Sequence, residues 1–277
     1  MIIKPGLYLV STPIGNLQDI TIRALETLKN SDLIICEDTR VTNKLLAKHG
    51  IKPRLKIYND HSDSSLREFI KDEIDCGRVV SLVSDAGTPL ICDPGYKLVR
   101  YLKENNIYVD ALPGPCALVA SLTISGLPTD RFFFAGFLPK TQFAKIKTFK
   151  SIEKITATVV FYETSSRLVD SLNVALEVLG DRYAHVGREL TKLYQESNTA
   201  PISQLIDFYT QKKPKGEIVL AIEGYKNQIS VEKIEEEVKS LLKGGLSART
   251  ITDQLFNQYS DCFKRSQIYK IVTQLIK

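Results

Sequence analysis

Residues 79–95, Val79-Val80-Ser81-Leu82-Val83-Ser84-Asp85-Ala86-Gly87-Thr88-Pro89-Leu90-Ile91-Cys92-Asp93-Pro94-Gly95, read as a short apolar strand running into a rigid turn. Four aliphatics in five residues, bounded by turn formers, fit a strand covered on both faces, as in parallel sheets. The turn sets Gly87, Pro89, Pro94 and Gly95 around one apolar pair, so it presents backbone more than side chains. Open α/β sheets bind ligands at the carboxyl ends of their strands. A loop of this composition there suits a small molecule needing many main-chain hydrogen bonds.

Outward from this segment, short apolar runs at 7–11, 33–37, 55–58 and 107–111 alternate with helical spacing such as Ile22, Leu25 and Leu28. The alternation predicts a mostly parallel sheet with helices on both faces. Pro113-Gly114-Pro115 breaks the pattern, and a helical run follows to about residue 125. Strand patterns return at 131–138, 156–162, 183–186 and 217–223, predicting a second α/β domain. No Gly/Ser linker separates the halves, so they should pack together and share a cleft. From Ser230 the pattern is helical only. Ser230 caps an acidic first turn, Gly244-Gly245 stops that helix, Ser247 starts a second with Ile251, Leu255 and Phe256 on one face, and Ser266 caps a third. Three short helices resemble a helix-turn-helix fragment, read either as nucleic-acid binding or as a cap on the second domain. The expected division is 1–112, 113–229 and a helical appendage at 230–277.

With 43% apolar and 25% charged residues, the 277-residue chain has the balance of a globular protein with ample core. It shows neither a signal h-region nor a membrane-length apolar run, so a cytoplasmic location is expected. Cys36, Cys76, Cys92, Cys116 and Cys262 are odd in number, widely spaced and without a CxxC pair, which predicts free, mostly buried thiols. His49, His61 and His185 are isolated, and no metal is assigned. A net charge of +5 permits an anionic partner without demanding one. Locally, Lys140, Lys145, Lys147, Lys150 and Lys154 face only Glu153, and Lys212, Lys213 and Lys215 surround Pro214. Such runs are either solvated surface or phosphate-neutralising groups.

Three further loops share the character of 84–95. The first strand leads into Ser11-Thr12-Pro13-Ile14-Gly15-Asn16-Leu17-Gln18-Asp19, which is neither a P-loop nor a GxGxxG fingerprint. The second ends in Glu37-Asp38-Thr39-Arg40, and the fifth in Pro113-Gly114-Pro115-Cys116-Ala117, whose small residues open a helix. Together these four segments resemble the tetrapyrrole methylase superfamily, whose members transfer a methyl group from S-adenosylmethionine. Their wording is most similar to the branch that methylates ribosomal RNA. Gly136-Phe137-Leu138-Pro139, Phe161-Tyr162-Glu163, Arg188-Glu189-Leu190-Thr191-Lys192 and Gly216-Glu217 extend the resemblance over nearly the whole chain. Two departures stand out: Thr-Ser-Ser-Arg follows Glu163, and Tyr194-Gln195-Glu196 stands where His-Glu-Glu is common, which puts in doubt a catalytic histidine there.

The resemblance implies two α/β domains of tetrapyrrole methylase type with S-adenosylmethionine in the interdomain cleft. Carried over, Pro13 packs at the cofactor, Asp85, Ala86, Gly87, Thr88 and Ile91 form the central cradle, Cys116 and Ala117 contribute from the fifth-strand loop, and Tyr162, Glu163 and Leu190 close the site. The implied reaction is 2′-O-methylation of a cytidine ribose in the decoding region of 16S rRNA within the small ribosomal subunit, by a homodimer. The acceptor hydroxyl needs a base. Lys192 with Glu189 is the candidate pair, beside the acids Glu37, Asp38 and Glu163, and each has the alternative reading of an ion pair at the domain boundary. Two other functions stay open: a methylase of the same fold acting on a tetrapyrrole or other small substrate, and a non-catalytic RNA-binding protein.

Overall fold

The structure is a computed structural model that describes residues 3–59, 64–226, 231–260 and 262–276. The first sheet comprises β1 (Gly6–Val10), β2 (Leu33–Cys36), β3 (Leu55–Ile57), β4 (Val79–Val83) and β5 (Val109–Leu112), in the order β3-β2-β4-β1-β5. All its pairings are parallel, and β4, the strand of the opening segment, is buried at every residue. Helices α1 (Ile22–Lys29) and α2 (Thr39–Lys48) cover one face, where Tyr8, Val10, Ile34 and Cys36 meet Ala24, Leu28 and Leu46. On the other face, α3 (Ser64–Asp75) and α4 (Tyr96–Glu104) pack Ile70, Ile74, Leu98 and Leu102 against Leu7, Leu33, Val80 and Leu82. The period-two alternation of strand side chains splits the core this way. In α1 the buried positions are Ala24, Thr27 and Leu28; Ile22 is 78% exposed and belongs to no core.

The second sheet holds β6 (Phe132–Phe137), β7 (Thr158–Thr164), β8 (Tyr183–Arg188), β9 (Glu196–Pro201) and β10 (Glu217–Ile222), in the order β6-β7-β10-β8-β9. Only β6 and β7 run parallel. One face packs on α6 (Gln142–Ile152), α7 (Leu168–Leu179) and α8 (Ile202–Gln211) through Phe149, Phe161, Leu172, Ile202 and Tyr209. The opposite face carries Val160, Val219 and Ala221 against Leu118 and Leu122 of α5 (Ala117–Ile124), and the same cluster takes in Ile14 from the β1 loop and Leu190. The two halves thus share a core. Strand β9, Glu-Ser-Asn-Thr-Ala-Pro, has no apolar alternation and was not expected; it forms as an edge strand whose ladder runs from Tyr183↔Pro201 to Arg188↔Glu196.

The chain divides into two compact units, Met1–Glu223, which contains both sheets, and Gly224–Lys277. The second unit has α9 (Val231–Lys243), α10 (Ala248–Tyr259) and α11 (Arg265–Ile276) around its own core of Ile234, Val238, Ile251, Leu255 and Val272. Ser247 caps α10, accepting from the Thr250 amide at 3.2 Å. Ser266 lies one residue inside α11, so it is not the expected cap, and Ser230 lies outside the described residues. Only Cys36 of the five thiols is buried; Cys76 and Cys92 are exposed, because turn and loop positions hold them outside the strands. No helix among the described residues is long and apolar enough to cross a membrane.

Candidate active site

The three loops at the carboxyl edge of the first sheet are knitted to one another. Thr12 and Gly87 exchange backbone hydrogen bonds at 2.8 and 3.0 Å, and Thr12 Oγ1 donates to the Ser84 carbonyl at 3.1 Å. Ser11 Oγ lies 3.2 Å from both the Leu112 carbonyl and Thr88 Oγ1, while Thr88 Oγ1 donates to the Pro115 carbonyl at 3.0 Å. A Cβ on Gly114 would come within 2.7 Å of Ser11 Cβ, so the β5 loop reaches this seam only as glycine. Leu90 and Cys92 hold φ of 71° and 67°, left-handed values that non-glycine residues adopt only when their surroundings fix them. The turn is therefore a rigid backbone surface.

That surface forms one wall of a cavity of about 410 Å³ whose other wall is the second sheet. Asp85, Ala86, Gly87, Thr88 and Ile91 line it, as do Cys116 and Ala117 at the start of α5, and Tyr162, Glu163 and Leu190 from the second sheet. Pro13 does not. It is buried beside the Thr12–Gly87 bridge, and Ile14, whose Cγ2 would lie 3.3 Å from a Cβ on Gly87, takes the lining position. The cavity is completed by Cys92, Asp93, Phe137, Thr164, Gly187 and residues 216–219. Of these, Cys92, Asp93, Phe137 and Gly216-Glu217 stood in segments of recognisable wording, whereas Gly187 lies one residue before the Arg188–Lys192 segment and was not singled out.

The electrostatics divide in two. At the carboxyl edge of the first sheet acids crowd together, Asp85 and Asp93 lining the cavity with Glu37 and Asp38 behind them. Burial pushes the Asp93 carboxyl up to about 6, with repulsion from Glu37 and Asp85 adding to it and a Ser84 hydroxyl opposing it. Burial likewise raises Glu37, helped by Asp85 and Asp38. Asp38 itself caps α2 and pairs with Arg40 at 2.6 Å, and that hydrogen bond holds its carboxyl at about 2. On the second-sheet wall the acids are satisfied. Glu163, with no exposed side-chain surface, takes Arg167 at 2.6 Å, the Ser171 hydroxyl at 2.6 Å and the Thr164 amide at 2.6 Å. Tyr162, stacked edge-on by Phe134 and Phe137, has its phenol pushed well up by burial.

Lys192 and Glu189 do not line the cavity. Lys192 Nζ donates to Glu189 Oε1 at 2.9 Å and to Glu217 Oε2 at 2.8 Å, and Glu189 also accepts from the Glu217 amide at 2.9 Å. Burial works against the Lys192 ammonium, but the bonds to Glu217 and Glu189 outweigh it and raise its pKa. The same balance, with burial opposing and the Glu217 amide and Lys192 prevailing, lowers that of Glu189. The pair is a charged clasp one residue away from the cavity wall.

A rigid backbone cradle and an acid-lined cavity between two α/β halves that share a core define a two-lobed α/β ligand-binding fold. Residues 6–206 match the Tetrapyrrole (Corrin/Porphyrin) Methylases, and the chain belongs to that family of methyltransferases. Its relatives include Ribosomal RNA small subunit methyltransferase I of Rickettsia prowazekii (strain Madrid E), 51% identical over 276 residues and covering 98% of each chain. The protein of the same name from Escherichia coli O157:H7 is 47% identical over 225 residues, 80% of this chain and 79% of that one. Among solved structures, diphthine synthase superposes with a TM-score of 0.62 at 15% identity, over 79% of this chain and 89% of that one. The cobalt precorrin-4 methyltransferase CbiF gives 0.55 at 18%, over 78% and 93%. At such identities the likeness is one of fold.

Proposed function

We propose that the protein transfers the methyl group of S-adenosylmethionine to the ribose 2′-hydroxyl of a cytidine in the decoding region of 16S rRNA. The observation that carries this reading is the cavity, in which ten of the eleven residues expected from sequence to bind cofactor meet, in a chain alike over 98% of its length to a relative named for small-subunit rRNA. The residues present fit the cofactor. A cavity of about 410 Å³ suits a folded nucleoside–amino acid, and the lining acids Asp85 and Asp93 complement a sulfonium and an ammonium. When bound, the cofactor supplies an electrophilic methyl on a positively charged sulfur. Asp85, Ala86, Gly87 and Thr88 would hold it by backbone and carboxylate, Cys116 and Ala117 from the start of α5, and Leu190 and Ile14 would exclude water.

Positioning two reactants in such a cleft can supply several kcal/mol of the barrier. In this reading Lys192 stays protonated and paired with Glu189 and Glu217, so its place is to fix cavity-lining Glu217 from behind the wall; a free-base role would need its pKa lowered. Residues 1–112 and 113–229 are then the two halves of the catalytic body and 230–277 an RNA-facing appendage, in a cytoplasmic homodimer. The test is incubation of unmodified small subunits with labelled cofactor and mapping of the product. Label on one cytidine ribose is expected; label on a base refutes the reading.

A further inference from the structure

Loop 189–195, between β8 and β9, ends in a tip that the fold goes to some trouble to hold still. Glu189 and Thr191 sit at φ of 48° and 63°, left-handed positions occupied by residues other than glycine. Thr191 is tied at both ends: its amide donates to Gln195 Oε1 at 2.6 Å, and its Oγ1 accepts from the Asn16 amide at 3.0 Å. The Lys192 amide donates to the Glu189 carbonyl at 3.0 Å and the Gln195 amide to the Lys192 carbonyl at 3.1 Å. Backbone strain of this kind persists only where the surroundings over-determine it, and it gathers at functional positions. What the loop presents is Leu193, 88% exposed, and Tyr194, 70% exposed. A lone exposed apolar side chain needs no explanation. Two adjacent ones on a pinned loop, whose Leu190 lines the cavity and whose Lys192 grips cavity-lining Glu217, form a built feature.

We propose that Leu193 and Tyr194 form a wedge that stacks on an unpaired nucleobase beside the acceptor nucleotide of an RNA substrate. This rests on the reading of an RNA ribose as acceptor. Enzymes that act on a nucleotide within RNA or DNA splay it out of its stack, and single-stranded RNA is held by aromatic stacking together with ammonium contacts to phosphate. Cations suited to phosphate are built against the base of the same loop. Lys213 and Lys215 are exposed in the segment entering Gly216, which turns at φ 93° directly against the Glu189 side chain, and Arg188 fastens that segment by donating to the Lys215 carbonyl at 3.1 Å. A two-residue tip is too small to make a protein interface by itself, since those bury about 1,000 Å² or more.

The experiment uses the full-length protein, with Tyr194→Ala, Tyr194→Phe and Tyr194→Trp assayed on unmodified small subunits alongside cofactor affinity by calorimetry and particle mass by light scattering. Tyr194→Ala should lose about tenfold to a hundredfold in kcat/KM for the ribosomal substrate, the range expected when one stack is removed. Cofactor affinity and particle mass should not change, and Phe and Trp should restore activity because a ring, not a hydroxyl, is needed. Unchanged kcat/KM in Tyr194→Ala overturns the wedge. So does a loss accompanied by a fall in particle mass, which assigns the tip to a contact between copies of the chain, and so does failure of Phe to rescue. Wild-type protein that labels no ribose on the subunit overturns the underlying function reading, and the wedge with it.

Discussion

Asp93 and His185 show how burial sets opposite pH limits on one fold. The Asp93 carboxyl titrates near 6 instead of 3.8, chiefly through burial, so the folded state holds its proton more tightly than the unfolded chain. The stability this provides is complete below about pH 4 and is lost as pH rises through about 6. Asp93→Asn should therefore be more stable than wild type at pH 7.5, by about 1 kcal/mol after allowance for solvent screening, and the two should converge below about pH 4 in thermal unfolding. Equal stabilities at both pH values would refute the assignment. Cofactor binding should also reverse the local field. At pH 6 it should release part of a proton, visible as a buffer-dependent heat in calorimetry and absent from Asp93→Asn. His185 is fully buried and burial alone depresses its pKa to about 4. Thr199 Oγ1 donates to the Ser125 carbonyl at 2.7 Å, so it accepts from His185 Nδ1–H at 2.9 Å, which fixes the tautomer. Nε2 and the Ser121 hydroxyl then share a buried space without a hydrogen-bond partner among the described residues. The contribution of neutral His185 is present above pH 6.5 and lost as pH falls towards 4. His185→Asn, which keeps a donor to Thr199 and cannot charge, should flatten the acid limb of stability between those values by on the order of 2–3 kcal/mol. An unchanged limb would count against this role.

At the scale of elements, the site is made by loops that lock onto one another across the two sheets, and Gly15 is the tightest point of that lock. A Cβ there would run into Lys192 Cγ, come within 2.8 Å of Thr191 Oγ1 and lie 3.1 Å from the Leu190 carbonyl. Its φ is not in the left-handed region, so substitution acts by collision alone. Gly15→Ala should cost about 1–3 kcal/mol and lower the melting temperature by several degrees. Because Leu190 must move with the clash, cofactor affinity should fall about tenfold. Gly126→Ala is the control: φ is 70° and no atom lies within 4 Å, so it should lose stability through backbone strain and leave affinity intact. Equal affinity in both variants would break the link between the lock and the cavity. The loops were legible because glycine, proline and small residues clustered after apolar strands announce themselves in composition. Strand β9 was not, since Glu196 to Pro201 owe their extended form to the ladder with β8 and not to their own pattern. The shift from Pro13 to Ile14 at the cavity was equally hidden, because which of two neighbours faces a cleft depends on the Thr12–Gly87 bridge.

Over the whole molecule, the buried members of each core cluster built from the two sheets lie within residues 7–222, with Ile3 packed on one of them, while Ile234, Val238, Ile251, Leu255 and Val272 belong to a core of their own. The alternation of strands and helices disclosed this layout, but the charge pattern was only half readable. Lys145 is 3% exposed because it falls on the inward face of α6, whereas Lys140, Lys147, Lys150 and Lys154 are all exposed and carry the positive charge of that segment. Neither those four ammoniums nor the described residues of the appendage line the cavity. Truncation after Asn227 should therefore leave the melting behaviour of the remaining chain cooperative and its cofactor affinity within about twofold of full length, since it removes no side chain from either sheet's core. Methylation of small subunits should fall at limiting substrate through a raised KM. If the appendage contacts phosphate, the gap to full length should narrow as salt rises, because such contacts are the salt-sensitive part of binding. Replacing Lys147 and Lys150 by Ala in the full-length chain should reduce the salt slope by about one for each phosphate left unneutralised, without touching cofactor binding. Equal activity of truncated and full-length protein on small subunits across salt concentrations would show that residues 228–277 take no part in holding the substrate.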